Sequence, residues 1–150
     1  MYVFGYGTLR VDMGHPPADC TLVGRGVMYG VELLEIDKPG YGRWASVDAV
    51  PDQTSHVIGD LFRVDPDKQG SVIETLYSRE RVSDTIERST YWPETRTVLF
   101  EGIDYRATVF MLGGDCDVVG EIKSGDWKDC PIGMMYFDRK KSPKTKSTRS

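Results

Sequence analysis

The sequence predicts an α+β domain built on a mostly antiparallel, barrel-like sheet with one main helix. Three observations carry this. Short runs rich in β-branched and aromatic residues, about six of them, recur between clusters of Gly, Pro and Asp. A single stretch has helical rather than strand periodicity. Strands and helices do not alternate, so there is no βαβ rhythm from which to build a parallel sheet.

The first run, Met1 to Phe4 in MYVFGYGTLR, is aromatic and β-branched, too short for a helix, and ends at Gly5. The loop after it, Tyr6-Gly7-Thr8-Leu9-Arg10, has two open readings. It is an ordinary turn, or it is a place where backbone N–H groups stand ready to hold a small anion or oxygen. Residues 11–20 have the Gly, Pro and Asp density of an irregular segment. Residues 21–36, TLVGRGVMYGVELLEI, are expected to form one bent barrel strand, since a helix would not carry Gly24, Gly26 and Gly30 so close together. A turn at KPGYGRW and a short strand at ASVDAV lead to HVIGDLFRV, where Val57, Gly59, Leu61 and Arg63 share one face and Ile58, Asp60, Phe62 and Val64 the other. Asp65-Pro66 opens the helix, with Pro at its first position. Val72, Ile73, Leu76 and Tyr77 then fall on one helical face. TRTVLFEG and DYRATVFML read as a hairpin turning at EGID. EIKSGDWKDC follows as a loop with one tryptophan.

With 150 residues the chain is long enough for one domain with a real core, expected over residues 1–138. Six of the 19 cations fall in the last twelve residues, RKKSPKTKSTRS, which hold no acid. That leaves 13 cations against 23 acids in the body. An acidic body does not suit nucleic acid, so only the tail, 139–150, offers it a surface. Its Ser, Thr and Lys content predicts a solvated, disordered tail. No apolar run approaches the roughly 18–20 residues of a spanning helix, so no membrane partner is expected. No basic segment precedes an apolar stretch at the start, and a cytoplasmic location is expected. Cys20, Cys116 and Cys130 form no C-x-x-C pair and read as free thiols. With only His15 and His56, neither in H-E-x-x-H, no metal or other cofactor is expected.

The absent motifs narrow the chemistry. There is no P-loop, no third glycine for a dinucleotide fingerprint, no G-x-S-x-G and no Asn anywhere in the chain. Two histidines give a Ser-His or Cys-His nucleophile little to build on. Carboxylate chemistry remains.

FGYGTLR (4–10), VIGDLFRV (57–64), a helix running into LYSRE (76–80), and IKSGDW (122–127) occur in that order. Together they resemble the γ-glutamylcyclotransferase-like family, in particular its branch of γ-glutamylamine cyclotransferases and avirulence-induced proteins. The resemblance spans roughly residues 1–130. It implies a small γ-glutamyl amine or isopeptide as substrate, with 5-oxoproline as product. It further implies Glu80 as the catalytic glutamate and Tyr6, Gly7, Thr8 and Leu9 as the substrate loop. Chemistry supports those roles. One poised carboxylate can both take and return a proton, and amides in a Gly-containing loop can hold an oxyanion without a metal. Gly7 is expected to let the backbone approach the ligand.

Four positions depart from the family pattern: Tyr77 for Asp, Arg81 for Gly, Asp60 for Glu, and Phe110 for a tyrosine whose phenol Tyr91 or Tyr105 would have to replace. The leaving-group end of the pocket is expected to depend on loops 11–20 and 113–121. Trp127 is expected to be a packing anchor, with a ligand platform as the alternative, and Asp60 to make a structural hydrogen bond, with the positioning of a substrate ammonium as the alternative. Tyr91 and Trp92 line a cavity mouth or cover the core. Arg79 and Arg81 read as long surface cations, with the holding of a substrate carboxylate as the alternative. A barrel that binds a small ligand without turnover remains the second reading of the whole chain.

Overall fold

The computed structural model describes residues 1–135. The basic tail expected over residues 139–150 lies outside the described residues. Eight strands form: β1 (Tyr2–Gly5), β2 (Cys20–Tyr29), β3 (Val31–Lys38), β4 (Gly42–Ala49), β5 (His56–Val64), β6 (Tyr91–Phe100), β7 (Ile103–Leu112) and β8 (Asp117–Glu121). One helix, α1 (Gln69–Arg79), lies between β5 and β6. Strands β1-β5-β2-β6-β7 close into a barrel, and β4-β3-β8 form a separate three-stranded sheet. Every strand pair is antiparallel except β1 with β7, where Val3 faces Thr108.

Residues 21–36 are two strands, not one. The chain breaks at Gly30, whose φ of +75° lies in the left-handed region that glycine adopts without a Cβ penalty. The break is pinned on both sides. The Gly30 N–H donates to Ser55 O at 2.8 Å, and the Val50 N–H donates to Gly30 O at 3.0 Å. The turn sends β3 out of the barrel into the second sheet. Gly24 and Gly26 serve packing instead: a Cβ at either would run into Phe100 or Val98 across the barrel. Strand β8 had no signal in the sequence, because all five of its residues are exposed.

Where pattern and turn chemistry agree, the expected elements form. Asp65 caps the helix start, its carboxylate accepting from the Asp67 N–H at 3.2 Å, with Pro66 next in line. A short 3-10 turn, Pro66–Lys68, precedes the α-helix proper. The β6–β7 hairpin turns through Glu101 and Gly102, both at positive φ, which is the two-residue geometry that matches strand twist. Both faces of β5 are largely buried, since one meets the barrel interior and the other is covered from outside.

The core has two parts. The larger fills the barrel and the gap to the second sheet, around Phe4, Met28, Leu33, Val47, Leu61 and Trp127. The smaller sits under α1, where Val72 and Leu76 pack with Val3, Leu9, Val64 and Phe110. It fixes the helix against the barrel and so fixes whatever follows Arg79. Tyr77 lies at the edge, 37% exposed, with its ring edge-on to Phe110 at 5.9 Å. Leu76→Ala is therefore expected to cost about 2–5 kcal/mol in urea denaturation. Tyr77→Ala is expected to cost no more than about 1.5 kcal/mol, the scale of one aromatic contact.

Candidate active site

The chain leaves β1 at Gly5 and doubles back at once, the Arg10 N–H donating to Gly7 O at 3.0 Å. A Cβ at Gly5 would stand 2.5 Å from the Leu9 Cβ, so only glycine lets the loop fold onto the end of its own strand. A Cβ at Gly7 would come within 3.2 Å of the Ala45 Cβ and 3.6 Å of the Trp127 ring. The close approach that Gly7 permits is thus to Ala45 and Trp127. Trp127 is fully buried beneath the loop.

Arg10 holds the loop in place. Its side chain is fully buried and forked onto Asp12 at 3.0 and 2.7 Å, while its other nitrogen reaches Asp126 at 2.6 Å. Asp12 also meets Arg25 at 3.3 Å, and Arg25 meets Asp60 at 2.9 Å. Asp60 accepts the Val11 N–H at 2.8 Å, so it makes the structural hydrogen bond expected of it. Burial opposes the charges on Asp12 and Asp126, yet the hydrogen bonds and charge of Arg10 outweigh it and hold both carboxyls below the usual range. The network ties the β1 loop to β2, β5 and the segment that carries Trp127.

Tyr6 points inward. Its phenol donates to Phe110 O at 2.5 Å, and it lies close enough to Ser46 and Glu80 for both to act on it. Burial, then the charge of Glu80, holds its pKa well above the ordinary value, so it stays a neutral donor. Glu80 caps the C-terminus of α1, its N–H donating to Leu76 O at 2.8 Å. Its side chain is 14% exposed. Burial pushes its pKa up to about 7, and Arg79, with Nε 3.8 Å from Oε2, offsets this only in part. A carboxyl near neutrality in water-poor surroundings is able to accept and donate a proton at physiological pH.

The sequence-predicted residues come together here. Tyr6, Gly7, Thr8, Leu9 and Glu80 all line one small cavity of about 20 Å³, floored by Trp127. Thr8 and Glu80 also line a larger cleft of about 320 Å³, and Trp44 and Tyr91 are common to both spaces. Among the described residues none accepts a hydrogen bond from the Thr8 or Leu9 amide, and both residues line the same cavity as the Glu80 carboxyl. Among the described residues, no group of three or more His, Cys, Asp or Glu is arranged to hold a metal ion. No described helix is long and apolar enough to cross a membrane.

The outer cleft holds residues that sequence reasoning placed elsewhere. Arg79 and Arg81, read as surface cations, line it with Lys38. Tyr41 and Trp44, read as part of a turn, form a wall, and Thr90 lies within. Their signal was the aromatic density of KPGYGRW, which is high for a plain turn. Tyr91 lines both spaces and donates its phenol to Ala45 O at 2.6 Å. Tyr105 instead packs with Tyr2 and Phe100, outside the cleft linings. Of the two loops expected to shape the outer end, the first contributes His15. The second acts through Asp115, which holds Lys38 at 2.5 Å.

No protein-family model and no curated protein matches the chain by sequence. Solved structures do match by shape. A yeast γ-glutamyl cyclotransferase specific to glutathione superposes with a TM-score of 0.64 at 13% identity, covering 100% of this chain and 90% of that one. A second γ-glutamyl cyclotransferase gives 0.60 at 13% identity, over 100% and 92% of the two chains. A mouse AIG2-like protein gives 0.53 at 19% identity, over 75% and 77%. The five-stranded barrel with one main helix is therefore the γ-glutamylcyclotransferase-like fold.

Proposed function

We propose that this protein is a γ-glutamyl cyclotransferase that needs no cofactor and releases 5-oxoproline and an amine from a small γ-glutamyl substrate. The observation that carries the reading is the meeting, in one cavity, of a near-neutral Glu80 and a loop with unspent amide donors.

The chemistry needs little more. Both reacting groups belong to the same glutamyl unit, so folding it into place supplies the proximity. Glu80 takes a proton from the substrate's α-ammonium. The freed nitrogen attacks the side-chain carbonyl of the same unit and forms the ring C–N bond. The developing oxyanion accepts from the Thr8 and Leu9 amides. Breakdown of the tetrahedral centre cleaves the bond to the leaving nitrogen. The two protons shed by the α-nitrogen pass through Glu80, one at a time, to that leaving nitrogen. Glu80 ends as it began, and the substrate divides into 5-oxoproline and the amine. Tyr6 and Trp127 form part of the cavity wall.

Glu80→Gln is expected to lower kcat for 5-oxoproline release by about 10²–10⁴-fold. Intact turnover in that variant would contradict the assignment. Ligand recovered unaltered from wild type after long incubation would favour the binding-only reading.

The raised pKa also has a consequence for stability. A carboxyl whose folded pKa of about 7 exceeds its unfolded value binds more protons folded than unfolded between the two. The stabilising contribution of the protonated form is full below the unfolded pKa and is lost as pH rises through 7. Glu80→Gln is therefore expected to be more stable than wild type at pH 8, by about 1–3 kcal/mol. The gap should narrow as pH falls below 7 and close only below the unfolded glutamate value of about 4.3, measured by denaturant midpoints at pH 8, 6 and 4.

A further inference from the structure

We infer that Arg79 is a positioning residue of this site: its guanidinium bridges the His15 carbonyl and the Glu80 carboxyl, and so holds the amide loop in register with the proton-transferring group. The inference rests on the cyclotransferase reading and adds to it the part that joins its two halves.

Those halves come from different stretches of chain. The amides belong to the loop after β1, and Glu80 to the end of α1. The Arg10 network fastens the loop to Asp12, Asp126 and, through Arg25, to Asp60, none of which lies on the helix. Leu9 does share the apolar core beneath α1 with Val72 and Leu76. Apolar contact is non-directional, so it brings loop and helix together without aiming an N–H.

Aim comes from hydrogen bonds on the neighbouring carbonyls. In a planar trans peptide the C=O and N–H point opposite ways, so fixing one fixes the other. The Arg10 N–H donates to Gly7 O at 3.0 Å, which sets the Thr8 N–H. The His15 N–H donates to Thr8 O at 3.2 Å, which sets the Leu9 N–H. The chain returns to Thr8 through the 3-10 turn at Val11–Met13 and through Gly14, whose φ of +94° is glycine's own region. His15 is thus the residue that aims the second amide.

Arg79 holds His15. Its Nη2 donates to His15 O at 2.9 Å, and its Nε lies 3.8 Å from Glu80 Oε2. Pro16 follows His15 and restricts it to extended backbone, so the accepting carbonyl has a set direction. A cation in the last turn of a helix is favoured by the helix dipole wherever its side chain points. This one turns toward a segment 64 residues earlier in the chain. The planar guanidinium offers two donors at a fixed separation, one for each partner, where an ammonium offers a single point.

The test follows two quantities in wild type, Arg79→Lys and Arg79→Gln. One is kcat and KM for 5-oxoproline release from γ-glutamyl-alanine or ε-(γ-glutamyl)-lysine, whichever wild type turns over faster. The other is hydrogen exchange of the His15 amide, read by nitrogen-15 NMR without substrate. Lysine keeps the charge beside Glu80 but reaches one partner at a time, so it separates the bridge from the charge. Both variants are expected to lose about tenfold or more in kcat, with KM within about threefold of wild type, because misaimed groups act on the transition state. The His15 amide should exchange about tenfold faster in both. Urea midpoints should stay near wild type, since the Arg79 side chain is partly exposed. A wild-type kcat in Arg79→Lys, or a His15 amide that exchanges no faster, overturns the inference. No 5-oxoproline from wild type, with His15 exchange still dependent on Arg79, would keep the bridge and remove the cyclotransferase. Neither release nor a change in exchange would overturn both.

Discussion

The site depends on a buried guanidinium held between two carboxylates. Arg10 has no exposed side-chain surface, and its charge is answered by Asp12 on one side and Asp126 on the other. Such a group is expensive to strand: removing one partner from a buried pair costs about 3–5 kcal/mol. The arrangement makes the loop after β1, the Asp12 segment and the Trp127 segment one unit. With the Tyr6 phenol on Phe110 O, it ties the short loop to pieces of chain more than a hundred residues away. The glycines make the loop able to lie there, and Arg10 keeps it there.

The same chain places carboxyl groups in two opposite environments and obtains two opposite results. Asp12 and Asp126 lose water but gain Arg10, and they stay ionised below the ordinary range. Glu80 loses water and gains only a distant Arg79, and its pKa rises to about 7. One environment makes a rigid strut and the other makes a group that exchanges protons. The helix assists the second. Val72 and Leu76 anchor α1 under the barrel wall, and the residue that ends the helix lies at the cavity.

Much of this was legible from residue order. The first strand, the Asp65-Pro66 start, the helical face and the Glu101-Gly102 turn each follow from local chemistry, and local chemistry decided them. Glu80 and Tyr6 to Leu9 were nameable as a set because four short motifs occur in a fixed order. What escaped was non-local. Gly30 looks like Gly24 and Gly26 in sequence, but only at Gly30 does φ turn positive and the chain change sheets. Strand β8 exists because β3 offers an edge, with Leu34 to Asp37 paired to it, and not because its exposed residues favour it. The outer wall of the cleft escaped for the same reason. It comes from the β3–β4 turn, whose Tyr41 meets Arg81 only after the second sheet has folded beside the barrel.

The central claim is that burial, with no adequate counter-charge, holds Glu80 near neutrality next to the amides of the β1 loop. The most direct measurement is a carbon-13 NMR titration of the Glu80 side-chain carboxyl in the intact protein, assigned by comparison with Glu80→Gln. The account predicts a midpoint near 7. A midpoint at the ordinary glutamate value, about 4.3, would contradict it, because a carboxylate ionised that easily has not been taken out of water.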